Sequence, residues 1–219
     1  NLSEHLAHRI VVNCRSVERE LVSKHGIPSQ RIHLVYNGID TSVFHPQGPR
    51  AALPFPSDAI VIGVICALRP EKDLLTLQRA FAQLATDFPR THLLFVGDGP
   101  ERPALTAAAI PGRTHFAGAQ SDVVPWYRAI DFFVLPSRSE ALSNSLLEAQ
   151  ACGCFVMASH TGGNPEITPH LYPPGDASAL AALLRQALSG LIPIRAAPLA
   201  PHFTIPFMLD GLEELYRHG

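Results

Sequence analysis

From residue 59 onward, apolar runs alternate with segments of helical periodicity, and this alternation restricts the possible fold more than any other feature. Residues 59–66 are almost continuously apolar, as expected of a strand buried on both faces of a sheet. Residues 74–88 carry apolar side chains at helical spacing and predict a helix. The same alternation predicts further strands at 91–96, 114–116, 131–135 and 154–159, and further helices at 102–109, 123–130 and 177–188. We therefore predict an α/β fold, a doubly wound parallel sheet with helices on both faces.

Length and composition are typical of an ordered globular protein and argue against several classes of function. The chain has 219 residues, 47% of them apolar, which is enough for one large core and part of a second domain. A formal net charge of −2 gives no electrostatic basis for binding nucleic acid. No apolar run reaches the length of a bilayer span, and no secretory signal is visible.

The cysteines and histidines do not show the spacings of disulfide frameworks or metal sites. Each of the four cysteines lies in or beside a predicted apolar element, so we expect reduced thiols and a cytoplasmic protein. Cys152 and Cys154 lack a second ligand pair at zinc spacing, and the 11 histidines contain no His-x3-His pattern. We therefore expect no metal site.

The order of the predicted elements divides the chain into four parts. A strand, a helix and a second strand are predicted within residues 1–46, and a Pro-rich segment at 47–58 reads as a linker. The alternating α/β domain occupies 59–200, and a last helix at 207–217 lies within 201–219. Because the chain opens without Met and without a first strand, we expect it to be a piece of a larger protein.

Two glutamates eight residues apart are the main functional signal. The predicted strand at 131–135 runs into a polar loop that carries Glu140, and the loop opens a helix that carries Glu148 one turn in. Free N–H groups of the helix N-terminus lie between the carboxylates and favour an anion, while the carboxylates suit neutral hydroxyls. This combination indicates a nucleotide-sugar. The alternative is a helix-entry acid at Glu140 and a solvated helix residue at Glu148.

The segment 139–149 resembles the Glu-x7-Glu motif of retaining GT-B-type glycosyltransferases of family four, also called group 1. The resemblance covers nearly the whole chain and implies the Rossmann-like, donor-binding half of a GT-B fold. It places Glu140 on the hydroxyls of the donor sugar and Glu148 on the ribose of the nucleotide. It also places the intervening backbone against sugar and diphosphate, and this stretch consists of Ala141, Leu142, Ser143, Asn144 and Ser145.

Two basic residues after the first strand of the α/β domain are further candidates. A lysine near a helix start opposes the helix dipole, so Lys72 indicates an anion to neutralise. The resemblance implies that Lys72 contacts the donor diphosphate, with an arginine expected five residues earlier. Ala67 occupies that position, and Arg69 is the candidate substitute. We predict Lys72, Arg69 and Glu140 as the catalytic residues, with surface charges as the alternative for the two cations.

Three glycine-containing segments follow predicted strands. In the family, loops like those at Gly97 and Gly118 lie near the nucleotide pocket. A tight turn is the favoured interpretation for Gly97, and an ordinary turn explains Gly118 equally well. For Gly162 and Gly163 a structural turn is the favoured interpretation, as it is for the Asn37-Gly38 dipeptide taken alone. Trp126 and Tyr127 read as core or rim aromatics.

The resemblance implies a retaining transfer of a sugar from a nucleoside diphosphate sugar to an acceptor hydroxyl, in bacterial polysaccharide or glycan synthesis, without cofactor or metal. A glycan or lipid-linked acceptor is expected to bind an N-terminal domain of which residues 1–46 are a remnant, with the last helix crossing back to it. Peripheral association of the full enzyme with the inner face of a membrane is compatible with this role. The alternatives are a sugar-nucleotide epimerase, a sugar-phosphate synthase or a non-catalytic nucleotide-binding module.

The sequence leaves several properties open. It does not identify the sugar, the base (UDP, GDP or ADP), the acceptor or the oligomeric state. Family members usually carry a longer turn where this chain has residues 167–173, and the sequence alone does not explain the short segment.

Overall fold

The computed structural model describes residues 8–193 and 196–217, and it begins with a small β-α-β unit. Strand β1 (Ile10–Val12), helix α1 (Arg15–His25) and strand β2 (Ile32–Leu34) form this unit, and β1 pairs parallel with β2. Helix α1 ends at Gly26, whose φ of 65° is the left-handed conformation that glycine adopts without strain. A small cluster of Val12, Leu21, Ile27 and Ile32 forms the core of this first unit.

The remaining strands form one six-stranded sheet. In chain order they are β3 (Ile60–Ile65), β4 (Thr91–Val96), β5 (Thr114–Gly118), β6 (Phe132–Leu135), β7 (Phe155–Ser159) and β8 (Leu171–Tyr172). The spatial order is β5-β4-β3-β6-β7-β8, and every neighbouring pair is parallel. The predicted α/β fold with a doubly wound parallel sheet is therefore confirmed.

Helices cover the sheet, as parallel strands require. They are α2 (Leu74–Leu84), α3 (Arg102–Ala107), α4 (Val124–Arg128), α5 (Asn144–Ala151), α6 (Asn164–Ile167) and α7 (Ala177–Leu188), and α8 (Ile205–Arg217) follows them. Strands β4, β6 and β7 are buried at every residue, which explains why most of their side chains are apolar. The short α6 and β8 were not predicted, because four and two residues are too few to show a periodicity.

The strand order places two loops side by side. It reverses between β3 and β6, which pair through Ile62 with Phe132 and Gly63 with Phe133. In open α/β sheets, ligands bind at the carboxyl ends of the strands where the order reverses. The loops 66–73 and 136–143 leave these two carboxyl ends, and they carry most of the predicted site.

The C-terminal helix α8 contacts the segment that follows the first unit. The backbone N–H of Ile39 donates to the Phe203 carbonyl at 2.8 Å. A Cβ at Gly38 would lie 2.6 Å from the Cα of Ile205, so only glycine allows this approach. The Asn37-Gly38 dipeptide is thus part of a backbone contact and not the turn expected of the dipeptide taken alone. The predicted domain boundaries themselves remain predictions.

Two other points of the sequence analysis concern the short segment 167–173 and membrane-spanning helices. Residues 167–173 run continuously through β8, the edge strand of the sheet. None of the helices that the structure describes is long and apolar enough to cross a membrane.

Candidate functional site

Lys72 and Glu140 meet where the strand order reverses. Their atoms Nζ and Oε1 lie 2.6 Å apart, although 68 residues separate them in sequence. The side chains are only 21% and 11% exposed. Lys72 ends a short 3₁₀ turn, Pro70–Lys72, that follows β3, and Glu140 lies in the loop after β6. The structure therefore brings together two of the three residues predicted as catalytic.

The two oxygens of Glu140 differ in their partners. Oε1 accepts from the Lys72 ammonium and from the Ser137 hydroxyl, both at 2.6 Å. Oε2 has no hydrogen-bond partner among the residues that the structure describes. An ammonium has three donors and a carboxylate oxygen two lone pairs. The pair therefore keeps donors on Lys72 and acceptors on Glu140 for a ligand.

The loop after β6 is attached to the loop after β3. The backbone N–H of Arg138 donates to the Glu71 carbonyl at 2.9 Å. The Arg138 guanidinium also reaches the buried Asp73 carboxylate, with Nε 3.2 Å from Oδ2. Asp73 adopts a φ of 48°, which is uncommon outside glycine and places its side chain between the two loops. These contacts fix the relative position of Lys72 and Glu140.

Gly162 and Gly163 pack against the backbone of the Glu140 loop. A Cβ at Gly162 would lie 1.8 Å from the Glu140 carbonyl oxygen, and the φ of Gly162 is 52°. The N–H of Gly163 donates to the Ala141 carbonyl at 2.6 Å. The turn predicted for these glycines is therefore also a support for the loop that carries Glu140.

The N-terminus of α5 provides hydrogen-bond donors next to Glu140. Ser143 is the N-cap, and its hydroxyl accepts from the Leu146 N–H at 3.4 Å. The backbone N–H groups of Asn144 and Ser145 have no hydrogen-bond partner among the described residues, as is usual in a first helical turn. Leu142 is buried and anchors the loop. The N–H groups predicted to contact a sugar diphosphate are thus available.

Glu148 has a different environment from Glu140. Its Oε2 accepts from the Tyr127 hydroxyl at 2.6 Å. Burial raises the pKa of Glu148, and the hydrogen bond from Tyr127 opposes part of this rise. Burial, followed by the charge and hydrogen bond of Glu148, raises the pKa of Tyr127 well above its usual value, so Tyr127 remains a neutral donor. Tyr127 is a core aromatic, as predicted, and it is also the partner of Glu148.

Gly97 and Gly118 lie together at the carboxyl ends of β4 and β5. The N–H of Gly97 donates to the Gly118 carbonyl at 2.8 Å. Gly97 has a φ of 129°, and a Cβ there would lie 1.9 Å from the Cys66 carbonyl oxygen. Gly97 is therefore required for the close approach of the loops after β3 and β4, which is a structural role.

Arg69 does not join the Lys72–Glu140 pair. Its side chain is 63% exposed and lies 3.9 Å from Glu71, a weak surface contact. The arginine that ties the two loops together, through its backbone and its contact with Asp73, is Arg138, which the sequence analysis did not single out. Ser137 and Asp73 were also missed. A Ser three residues before Glu140 is a spacing that can be read from the sequence, whereas the contact of Arg138 with Asp73 joins distant segments.

Among the described residues, no group of three or more His, Cys, Asp or Glu side chains is arranged to hold a metal ion. The pair Cys152 and Cys154 is buried and unoxidised. Burial raises the pKa of both thiols, so they remain protonated at neutral pH.

Models of two known protein families match most of the chain. Residues 59–190 match the model for glycosyl transferases group 1, and residues 2–43 match the model for glycosyltransferase family 4. D-inositol 3-phosphate glycosyltransferases of Mycobacterium tuberculosis and Mycobacterium bovis are 33% identical over 174 residues, which is 73% of this chain and 35% of those proteins. The chain thus spans about a third of the length of the curated relatives it matches.

Solved structures show the same fold. HepE from Anabaena, in complex with UDP, superposes with a TM-score of 0.83 and 21% identity, covering 100% of this chain and 66% of that one. Sucrose-phosphate synthase from Thermosynechococcus elongatus gives a TM-score of 0.82 and 24% identity, covering 99% of this chain and 60% of that one. Family models, relatives and fold agree, and the chain belongs to the family 4, group 1 glycosyltransferases of GT-B type.

Proposed function

We propose that this chain is the donor-binding part of a retaining glycosyltransferase that moves a sugar from a nucleoside diphosphate sugar to an acceptor hydroxyl. The observation that carries the proposal is the arrangement of Glu140, whose Oε1 is occupied by Lys72 and Ser137 while Oε2 is left for a ligand. A polyhydroxylated group beside an anion fits this arrangement, because acceptors and donors lie next to each other.

The chemistry follows from where charge develops. When the bond between sugar and diphosphate breaks, negative charge grows on the leaving phosphate. Lys72 and the N–H groups of Asn144 and Ser145 are donors that can stabilise this charge, and preorganised donors of this kind contribute roughly a hundred- to thousand-fold each in rate. This scheme requires no metal or cofactor. Arg69 contributes only if its exposed side chain turns toward the diphosphate when the donor binds.

Glu140 and Glu148 have separate roles in the proposal. Glu140 orients the sugar, whose hydroxyls donate hydrogen bonds to Oε2 of Glu140. Glu148 accepts a hydrogen bond from the ribose, while the Tyr127 hydroxyl donates to Oε2 of Glu148 and fixes the orientation of the carboxylate. Gly97 and Gly118 border the nucleotide end of the site. We assign no general base, since in front-face attack an oxygen of the leaving phosphate takes the proton of the acceptor.

Crystal structures of a structural relative with bound nucleotides support a nucleotide-sugar donor. HepE was crystallised with UDP and, separately, with UDP-glucose. We infer that the donor of this chain is a nucleoside diphosphate sugar and that the acceptor is a glycan or lipid-linked sugar. We place the enzyme in the cytoplasm, in bacterial polysaccharide or glycan synthesis, with peripheral association of the full enzyme at the inner face of the membrane.

Amine labelling tests the proposal directly, because Lys24 and Lys72 are the only lysines of the chain. Reductive methylation followed by mass spectrometry measures the labelling of each lysine separately, with and without UDP, GDP, ADP and their sugars. We expect one nucleotide class to protect Lys72 and to leave Lys24, which is 70% exposed, unprotected. Equal labelling of Lys72 with and without every nucleotide would contradict the proposal.

Two alternatives are separated by further measurements. A sugar-nucleotide epimerase or a sugar-phosphate synthase would share the nucleotide site, and analysis of the products of the intact enzyme distinguishes them from a transferase that acts on a glycan. A non-catalytic module that keeps the fold only as a scaffold has no use for the buried carboxylate of Glu148. Unchanged affinity of Glu148→Ala for the nucleotide-sugar would favour that module.

A further inference from the structure

Two consecutive residues after β2 make side-chain hydrogen bonds to two different helices of the larger domain. The Tyr36 hydroxyl donates to Oε2 of Glu166 in α6 at 2.7 Å. The Asn37 amide donates to Oδ1 of Asn144, the first residue of α5, at 2.8 Å. None of the roles assigned above belongs to Tyr36, Asn37 or Glu166.

Glu166 is held from two sides. Besides the Tyr36 hydroxyl, it accepts the backbone N–H of Arg15, at 3.0 Å to Oε1 and 3.2 Å to Oε2. Arg15 is the first residue of α1, so Glu166 satisfies a free donor at the positive end of that helix. Burial, followed by the hydrogen bond to Glu166, raises the pKa of Tyr36 to about 12, so this hydroxyl remains a donor at neutral pH.

Both contacts lead to one segment, residues 139–144, which we call the donor loop. At one side, the α6 turn that carries Glu166 contains Gly163, whose N–H donates to the Ala141 carbonyl at 2.6 Å. At the other side, Asn144 is the last residue of the donor loop itself. Glu140 directly precedes Ala141, the first of these two attachment points. A shift of Tyr36 or Asn37 is therefore transmitted to Glu140 through hydrogen bonds and packed backbone.

We propose that Tyr36 and Asn37 are positioning residues that hold the donor loop where Glu140 meets Lys72, acting through Glu166 and Asn144. Neither residue is assigned a contact with the donor. Asn13 supports Asn37, because its side-chain amide donates to Oδ1 of Asn37 at 3.4 Å and orients the Asn37 side chain. The assignment of an effect on sugar binding rests on the proposed function, whereas the effect on the loop does not.

Hydrogen exchange of the ligand-free chain tests the effect on the loop. We expect Tyr36→Phe and Asn37→Ala to speed exchange in peptides that cover 139–146 by roughly fivefold, the effect of one lost hydrogen bond. Helix α7 should be unaffected. The matched control is Tyr216→Phe, a loss of the same hydroxyl at a side chain that is 87% exposed. Exchange in 139–146 that matches this control would overturn the proposal.

Binding measurements then separate positioning from a general structural role. Calorimetry with a nucleoside diphosphate and with its sugar should show that Tyr36→Phe loses affinity mainly for the sugar, because it acts on the Glu140 end of the loop. Asn37→Ala should lose affinity for both ligands, because Asn144 also offers its N–H to the diphosphate. Asn37→Asp should restore both exchange and affinity, since the Asn144 amide can turn and donate to the carboxylate. Equal losses of Tyr36→Phe for the two ligands would overturn the positioning role. If the wild type binds neither ligand, the proposed function fails, and the exchange result alone decides whether Tyr36 and Asn37 hold the loop.

Discussion

The two lysines of the chain are each paired with a glutamate, in opposite surroundings. Lys24 lies one helical turn from Glu20 on α1, 3.0 Å away, and these side chains are 70% and 50% exposed. Lys72 lies 2.6 Å from Glu140, which comes from another loop, and both are largely buried. A pair like Lys24–Glu20 stabilises a helix by roughly 0.2–0.5 kcal/mol. A buried pair loses its hydration and gives little net stability. The comparison suggests that Lys72 and Glu140 are kept for what they bind.

The largest expected difference concerns removal of each lysine. We expect Lys72→Met to lower the free energy of unfolding by about 3 kcal/mol, because Glu140 is left buried without its cation. Lys24→Met, the matched control, should change it by less than about 0.5 kcal/mol. Chemical denaturation measures both. The double variant Lys72→Met/Glu140→Gln should recover part of the loss. Equal effects of the two single variants would remove the distinction between the pairs.

A second prediction examines the backbone under Glu140 rather than its charge. Gly162→Ala should destabilise by at least about 2 kcal/mol, since the left-handed conformation alone costs roughly 1–2 kcal/mol with a side chain. The added Cβ would also lie 1.8 Å from the Glu140 carbonyl oxygen. Gly112→Ala is the control, because Gly112 has a φ of 71° but no atom within 4 Å of its Cβ position. Thermal or urea unfolding that gives equal losses would show that the loop yields to the clash.

Glu148 is a buried carboxylate whose partner, Tyr127, is neutral, and Tyr127→Phe extends the comparison to this pair. Loss of the hydroxyl should cost about 1–3 kcal/mol, because Glu148 keeps its burial but loses its donor. Since that hydrogen bond lowers the pKa of Glu148, the variant should also raise this pKa further. Urea unfolding measures the first effect and carboxylate titration by NMR the second. Tyr216→Phe serves as the exposed control, and a loss equal to that control would argue against the Tyr127–Glu148 bond.

The smallest effect is a dependence on pH. Burial raises the pKa of Glu148 in the folded state above its unfolded value. Protonation therefore favours the folded state, and this contribution is complete below the unfolded pKa, near 4.3, and is lost as pH rises through the folded pKa. Relative to Glu148→Gln, the wild type should lose stability as pH rises through that interval. A difference that is constant with pH would contradict the raised pKa.

The fold could be predicted because its signals are local. The apolar runs of β4, β6 and β7 are complete in the sequence, and the bounds of β4 and α7 agree with those predicted. Helix α2 ends at Leu84, four residues before the predicted end, because a turn follows where the periodicity continues. The short α6 and β8 depend on packing between segments that the sequence does not place together.

The sequence could name candidate residues for the site but not the contacts between them. The family resemblance singled out Lys72 and Glu140 separately, yet their pairing depends on the strand order, which brings β3 next to β6. Arg69 was favoured because of its position in the sequence, whereas its exposure depends on the direction of a side chain. Tyr127 was recognised as a core aromatic, and its hydrogen bond to Glu148 joins α4 to α5, which no local pattern reveals.

The close packing of Gly162 and Gly163 on the backbone of Glu140 and Ala141 has a consequence for protein engineering. The two segments are about 20 residues apart in the chain, yet their backbones are complementary in shape and pack directly against each other. A chimera could be made to change the proposed donor specificity by taking residues 139–148 from a relative. If only those residues were replaced, a foreign backbone would lie against the native glycines. Chimeras should therefore carry residues 139–166 as a single cassette, with the intervening strand β7 included.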